Sequence, residues 1–224
     1  MRKVTAVFFA IAMLAVFSGC SDNRFLKDNE IKSLDKNPTG TIIFKIKDGT
    51  DEERITMTFE LFYDKAPITV TNFVSLAKSG FYDGTYITDY SVSGDREYLN
   101  ADGAYYAEEG DYYHSYKELD YNIKGEFEKN GWTKNDAKHT AWALSMLLDG
   151  ESYDSASFRF SVLFEENTAK DGYAAVFGAM NKDRTSEFLT ILKGLSSSSG
   201  NSVQIESITV DTYGVDLGQP LKLK

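Results

Sequence analysis

Phe62-Tyr-Asp-Lys-Ala-Pro-Ile-Thr-Val-Thr-Asn-Phe-Val-Ser-Leu-Ala-Lys-Ser-Gly-Phe-Tyr-Asp-Gly-Thr85 is the stretch that decides how this chain is read. Pro67 suits the first turn of a helix, where its missing N–H would have no intrahelical partner anyway. Val70, Phe73, Val74 and Ala77 follow at the i, i+3, i+4, i+7 spacing of one buried helix face. Gly80 ends the helix where a left-handed residue is usual. Upstream, Ile55 to Phe62 alternates apolar and polar residues as a half-buried strand does, and Thr41 to Lys47 reads as a second strand. Asp48-Gly49 lies in the connection between them. The local order is strand, strand, helix.

The N-terminus carries a separate signal. Arg2 and Lys3 precede an apolar run from Val4 to Phe17, and Ser18-Gly19-Cys20 closes it. A basic start, an apolar stretch of this size and small residues before a cleavage point make a secretory signal peptide over residues 1–19. The run is too short and too abruptly ended to read as a membrane span. The position of the only cysteine resembles a bacterial lipobox, which implies that Cys20 is lipidated and becomes the mature N-terminus. An ordinary signal peptide with a chance cysteine is the other reading. The lipobox resemblance places the protein outside the cytoplasm, lipid-anchored to the bacterial cell membrane.

With Cys20 used as the anchor, the mature chain has no cysteine for a disulfide, so stability must come from a core. Loss of residues 1–19 removes Arg2 and Lys3, and the formal net charge of −10 becomes −12. That balance argues against nucleic acid and against an anionic membrane surface, because phosphate contacts need clustered Lys and Arg. Membrane contact is then through the lipid anchor only. Residues 20–39 are polar, with Phe25, Leu26, Ile31 and Leu34 as their large apolar side chains, and read as a tether with room for one helical turn. About 185 residues follow, enough for one ordinary domain.

Further motifs follow in order. They are Tyr121-Asn-Ile-Lys-Gly-Glu-Phe127, then His139 with Ala143-Leu-Ser-Met146, Asp154-Ser-Ala-Ser-Phe-Arg-Phe-Ser-Val162 and Asp171-Gly-Tyr-Ala-Ala-Val-Phe-Gly178. Together with Asp64 to Phe73 and Gly80 to Thr85, they resemble the spaced motifs of the cyclophilins, the family of peptidyl-prolyl cis-trans isomerases. Gly94-Asp95 looks like the end of that family's Q-G-G-D strand, and residues 96–120 then read as an acidic, tyrosine-rich insertion. The resemblance covers about residues 40–210. It implies a mainly β fold, a closed eight-stranded antiparallel barrel with two covering helices, at about 67–79 and 184–194. Val203 to Val210 alternates and closes the domain as an antiparallel strand. The domain is placed at 40–213 and a C-terminal tail at 214–224.

The chemistry that the resemblance implies needs neither metal nor cofactor. An X–Pro bond has a rotation barrier of ~18–20 kcal/mol, set by amide resonance. A catalyst must bind the twisted amide better than either planar form. In cyclophilins an arginine donates to the pyramidal nitrogen, and an apolar pocket holds the proline ring. Carried over by position, Asp89 stands at that arginine and Thr88 at the histidine before it. Arg159 stands at a glutamine and is a candidate substitute donor. Phe160 keeps one aromatic of a pair, whereas Ser161 replaces the other, which floors the proline pocket. Ala174 replaces a pocket histidine, and Ala169 stands two before Asp171, where Trp or His is common. Phe160, Ser161, Ala174, Ser157 and Met146 make up the substrate-binding set that the resemblance implies.

Other residues carry plainer readings. His114 and His139 are the only histidines, and His139 near a strand start reads as structural. Asp102, Glu108, Glu109 and Asp111 lack the spacing of a calcium loop. The tyrosines of the insertion either pack it or form a recognition surface. Ser145, Ser155 and Ser157 have no base partner within their motifs. Two functions remain open. One is a cyclophilin-type isomerase with an eroded site and weak activity that helps exported proteins fold. The other is a catalytically inactive cyclophilin-like lipoprotein that binds peptide or protein. Proline-containing segments are the expected partners, and a monomer is expected.

Replacing Cys20 by Ala is expected to release the protein from the membrane fraction. Unchanged fractionation of that variant, with no mass increase at the wild-type mature terminus, would contradict lipidation.

Overall fold

The computed structural model describes residues 24–94, 96–106, 113–195 and 201–223. The leader, Cys20, Asp95 and the centre of the tyrosine-rich segment, including Glu108, Glu109 and Asp111, lie outside the described residues, as does the His114 side chain. β1 (Thr39–Asp48) and β2 (Asp51–Leu61) form a hairpin through Gly49 and Thr50, with Asp48 opposite Asp51. Gly49 takes φ +62°, which suits glycine in so short a turn. α1 (Pro67–Lys78) follows. Five short strands come next, β3 (Thr85–Ile87), β4 (Asp89–Ser91), β5 (Tyr98–Ala101), β6 (Ala104–Tyr106) and β7 (Tyr113–Tyr116). β8 (Ala143–Met146), β9 (Phe160–Leu163), β10 (Val176–Met180), α2 (Thr185–Gly194) and β11 (Ser202–Asp211) complete the order.

The strands join one curled antiparallel sheet in the order β4-β5-β9-β8-β10-β2-β1-β11-β3-β6-β7. The fold is mainly β with two α-helices, but it departs from the expected closed barrel of eight strands. Among the described residues the ladder has eleven strands and ends at β4 and β7. Five of these strands are the short ones β3 to β7, each of three or four residues. β1 runs between β2 and β11, so the alternation of both flanking segments buries Ile42, Phe44 and Ile46 with Ile55, Met57 and Phe59. A Cβ on Gly40 would collide with the Thr209 carbonyl and the Phe59 ring, so this crossing tolerates only glycine.

α1 is buried on more than the face its periodicity marks, with Thr69, Thr71 and Asn72 also covered. Its centre is Phe73, whose ring lies 5.8 Å from Phe59, 5.5 Å from Tyr82, 5.4 Å from Phe160 and 5.2 Å from Phe177. The helix ends as its glycine foretold: Phe81 N–H donates to Leu76 O and Gly80 N–H to Ala77 O, with Gly80 at φ +70°. Its start has no local cap, since Ala66 offers no side-chain acceptor. The fully buried Glu126 supplies one instead, accepting from Ile68 N–H at 2.9 Å and Thr69 N–H at 2.8 Å. α2 buries Phe188, stacked on Phe44 at 4.7 Å, and Leu192.

The segment expected to be a tether is docked from Arg24 onward. Phe25 lies 5.0 Å from the Trp132 ring, and Leu26, Ile31 and Leu34 pack against the core. Its four apolar side chains find partners there, so the polar composition misled. The tail after 213 also returns to the domain, where Leu223 is buried and bridges Asn122.

Removing the Glu126 acceptor leaves two buried N–H groups unpaired, so Glu126→Ala should cost about 1–3 kcal/mol in denaturant unfolding. Burial raises the Glu126 carboxyl to about 7 from an ordinary 4.5, against the pull of the Thr69 and Ile68 N–H groups. A raised acid binds its proton more tightly in the folded state. Its contribution is therefore full below pH 4.5 and lost as pH rises through about 7. Glu126→Gln should remove that downward slope; an unchanged slope would contradict the assignment.

Candidate functional site

The strand period of two gives β5 and β9 two different faces. Leu99, Ala101, Phe160 and Val162 turn into the core. The opposite face carries Asn100 and Ser161. Register places four polar residues in one row across four strands: Asp89 opposite Asn100, Asn100 opposite Ser161, and Ser161 opposite Ser145. The β5 strand that pairs with β9 lies inside 96–120, so the ladder position expected to end at Gly94-Asp95 is taken by Tyr98–Ala101. Gly94 sits in the turn before it, at φ +94°.

Asp89 is exposed at the open end of the row. Its Oδ1 accepts from Tyr98 Oη at 2.9 Å and its Oδ2 from Asn100 Nδ2 at 2.6 Å. The bond to Asp89, aided by partial burial, raises the Tyr98 phenol above its usual range and keeps it a donor. Ser161 is 1 % exposed. Four of the five buried side-chain polar atoms without a hydrogen-bond partner among the described residues are Asn100 Oδ1, Asp102 Oδ1, Arg159 Nε and Ser161 Oγ. All four belong to β5, β9 and the residue adjoining each. Buried polar groups are paired nearly everywhere in proteins, so these four atoms are unusual in lying close together along two neighbouring strands.

The inner end of the row is closed. His139 Nε2 lies 2.9 Å from Ser145 Oγ, and His139 Nδ1 lies 3.0 Å from Asp171 Oδ1, which also accepts the His139 backbone N–H at 2.9 Å. Ser145 thus has a base partner after all, His139 of the same motif, which the sequence reading did not pair with it. The order serine, histidine, aspartate is that of a hydrolytic triad. Burial rules that chemistry out, because Ser145 and His139 are each 1 % exposed and no carbonyl can reach the hydroxyl. Burial lowers the His139 pKa, with Asp171 pulling the other way. Burial alone would raise the Asp171 carboxyl, but its bonds from His139 hold it below the usual range. Neutral His139 donating from Nδ1 and accepting from Ser145 fits all three groups. It is a clamp that ties β8 to the loop before β10.

The remaining residues singled out from sequence divide by face. Phe160 and Met146 pair across β9 and β8 and are 0 % and 2 % exposed, so both are core residues. Arg159 stands just before β9 with its side chain 38 % exposed and its Nη1 3.7 Å from Asp149 Oδ1. Arg159 and Ser157 line a cavity of about 550 Å³ together with Asp102, Asp149, Phe158 and Leu119. Thr88 donates to Asp102 Oδ2 at 2.8 Å. Ala174 is half-buried in the loop before β10, and Ala169 is exposed. Tyr98, Asn100 and the full role of Asp102 were missed, although Tyr98-Leu-Asn-Ala-Asp102 alternates as a strand should. Among the described residues no group of three or more His, Cys, Asp or Glu could hold a metal ion, and no helix is long and apolar enough to cross a membrane.

The chain belongs to the cyclophilin family: the family model for cyclophilin type peptidyl-prolyl cis-trans isomerase/CLD matches residues 43–215. It is similar to a peptidyl-prolyl cis-trans isomerase of Helicobacter pylori (strain J99), 29% identical over 171 residues that span 75% of this chain and 87% of the relative. It is also similar to peptidyl-prolyl cis-trans isomerase B of Bacillus subtilis, 33% identical over 139 residues, or 60% of this chain and 79% of that protein. The crystal structure of a Cryptosporidium parvum cyclophilin type peptidyl-prolyl cis-trans isomerase superposes with a TM-score of 0.53 at 17% identity, covering 78% of this chain and 97% of the other. A structure of that enzyme in the presence of the dipeptide Ala-Pro gives 0.50 at 16% identity, covering 75% and 98%. The likeness to both structures is one of fold.

Replacing His139 by Phe should cost about 1–3 kcal/mol, because Ser145 and Asp171 lose their buried partner. A histidine lowered in the folded state contributes stability above its ordinary 6.5 and loses it as pH falls through its folded value. Denaturant unfolding of His139→Phe should therefore lack that acid-side decline. A decline of equal size in the variant would assign it elsewhere.

Proposed function

We propose that the protein is an extracytoplasmic, lipid-anchored cyclophilin that binds proline-containing polypeptide segments and isomerises them weakly. The observation that carries this is the environment of Asp89. At the position where the family resemblance expects a donating arginine stands a carboxylate, held by Tyr98 and Asn100. A carboxylate offers only acceptors, and the pyramidal proline nitrogen of the twisted amide is itself an acceptor. Losing one preorganised donor commonly costs on the order of 10²–10³ in rate. Ser161, buried on the outer face, gives the proline ring no aromatic floor. Binding is supported separately, by the family. Assistance to exported proteins follows from the leader and Cys20.

A second reading, a protein that only binds, is favoured by Arg159. Its Nη1 is already directed to Asp149 at 3.7 Å, in a half-exposed pair that screening by water makes weak. The two readings separate in one assay. With the full-length protein in detergent, proline isomerisation of a standard peptide should run at least about 100-fold below that of an intact cyclophilin. Arg159→Ala should abolish the residual rate if Arg159 is the substitute donor, and should alter only peptide affinity if the protein merely binds. A wild-type rate equal to that of intact cyclophilins would refute the eroded site.

A further inference from the structure

Ser21, Asp22 and Asn23 separate Cys20 from Arg24, where the described chain begins. Four steps of backbone reach at most about 14 Å when fully extended. A domain of about 200 residues has a radius of gyration of about 16 Å and is roughly 40 Å across. A lipid at Cys20 therefore holds the region around Arg24 against the bilayer and keeps the far side away from it.

From Arg24 the chain is fastened at one end of the sheet. Phe25 packs on Trp132, whose Nε1 donates to the Lys65 carbonyl at 2.6 Å. Asn37 Nδ2 donates to Glu60 Oε1 at 2.7 Å, and Leu61 N–H donates to the Pro38 carbonyl at 2.8 Å. β1 then runs away from that end for ten residues, to the turn at Gly49 and Thr50. At the rise of a strand the turn lies about 30 Å from Thr39.

The surface around Phe25 carries aromatic rings and ammonium groups together. Five large apolar side chains are exposed among the described residues, and two of them, Tyr153 and Tyr173, flank the 124–134 loop on which Phe25 rests. The Tyr153 ring meets Phe127 edge-on at 5.4 Å. Lys129 N–H donates to the Gly172 carbonyl at 2.9 Å, and the Lys129 amino group stands 5.4 Å over the Tyr173 ring. Lys124 stands 5.2 Å over Phe25 in the same way. Tyrosine rings favour the level of the lipid headgroups, and a lysine stem beside them lifts its ammonium towards phosphate. Lys124 and Lys134 are also paired with Asp154 and Asp28, so the face has no excess of cations to demand anionic lipid. Zwitterionic phospholipid suits it.

We propose that this face, with Phe25, Tyr153, Tyr173 and Lys129, seats the domain on phospholipid headgroups beside the anchor. The proposal rests on the lipid-anchor reading above and adds a fixed orientation to it, in which the turn at Gly49 and Thr50 points away from the bilayer.

The test uses the full-length protein, extracted in detergent and reconstituted into phosphatidylcholine vesicles whose flotation reads the anchor separately. With Cys20 acylated, an introduced cysteine is the one free thiol. Thr133→Cys and Thr50→Cys, both at exposed positions, are each labelled with nitrobenzoxadiazole. Emission is compared with and without a nitroxide carried on the lipid near its headgroup. The label at Thr133→Cys should lose roughly half its emission or more, as a group at headgroup depth does, and the label at Thr50→Cys should lose little. Tyr153→Ser together with Tyr173→Ser should reduce the loss at Thr133→Cys at least about twofold. Equal quenching at the two positions, no quenching at Thr133→Cys, or quenching that survives both serine substitutions would overturn the seated face and leave the anchor standing. Failure of the protein to float with the vesicles would overturn both.

Discussion

The seating of α1 is the constraint from which the rest follows. Its middle is fixed by Phe73 among four aromatic rings, drawn from β2, β9, β10 and the turn after the helix. Its N-terminus is fixed by Glu126, a carboxylate 58 residues away that accepts the first free N–H groups. Those two contacts oblige the chain to return over the helix after the tyrosine-rich segment. Tyr121 Oη then donates to Asn72 Oδ1 at 2.9 Å, and Tyr82 Oη to the Phe158 carbonyl at 2.8 Å. β9, which carries Ser161 and follows Arg159, is thereby held against the helix. The functional face is positioned by the core beneath it.

That face is a consequence of strand geometry. A strand cannot present a core side without presenting an opposite one, so packing Leu99, Ala101, Phe160 and Val162 inward turns Asn100, Asp102, Arg159 and Ser161 outward. The inner end of the row has been satisfied by the Ser145–His139–Asp171 clamp, and the outer end partly by Tyr98. Between them stand Asn100 Oδ1 and Ser161 Oγ, buried and without a protein partner. Asp89 stands at the exposed end of the same row.

Much of this was legible in the sequence, because local signals and tertiary demands agreed. The helix over 67–78 was marked by Pro67, by the spacing of Val70, Phe73, Val74 and Ala77, and by Gly80. The alternation of Ile55 to Phe62 and of Val203 to Val210 gave the long strands that flank β1. Motif order gave the family. The roles carried over to Asp89, Arg159 and Ser161 rest on that order alone.

What sequence misjudged depended on distance in the chain. Asp102 was weighed only as part of an acidic cluster, because nothing local says that Thr88 donates to its carboxylate. Phe160 and Met146 were assigned to a groove, and strand parity sends them to the core. Ser145, His139 and Asp171 were each in view, yet only the pairing of β8 and the loop before β10 brings them within hydrogen-bond reach. The sequence by itself determined where helices and long strands form and which family they build, since these follow from periodicity and backbone preference within a few residues. The tertiary structure alone decided which side chains share a face and which buried polar atoms go unmet. Those depend on register between strands far apart in the chain, and a shift of one residue would invert every face.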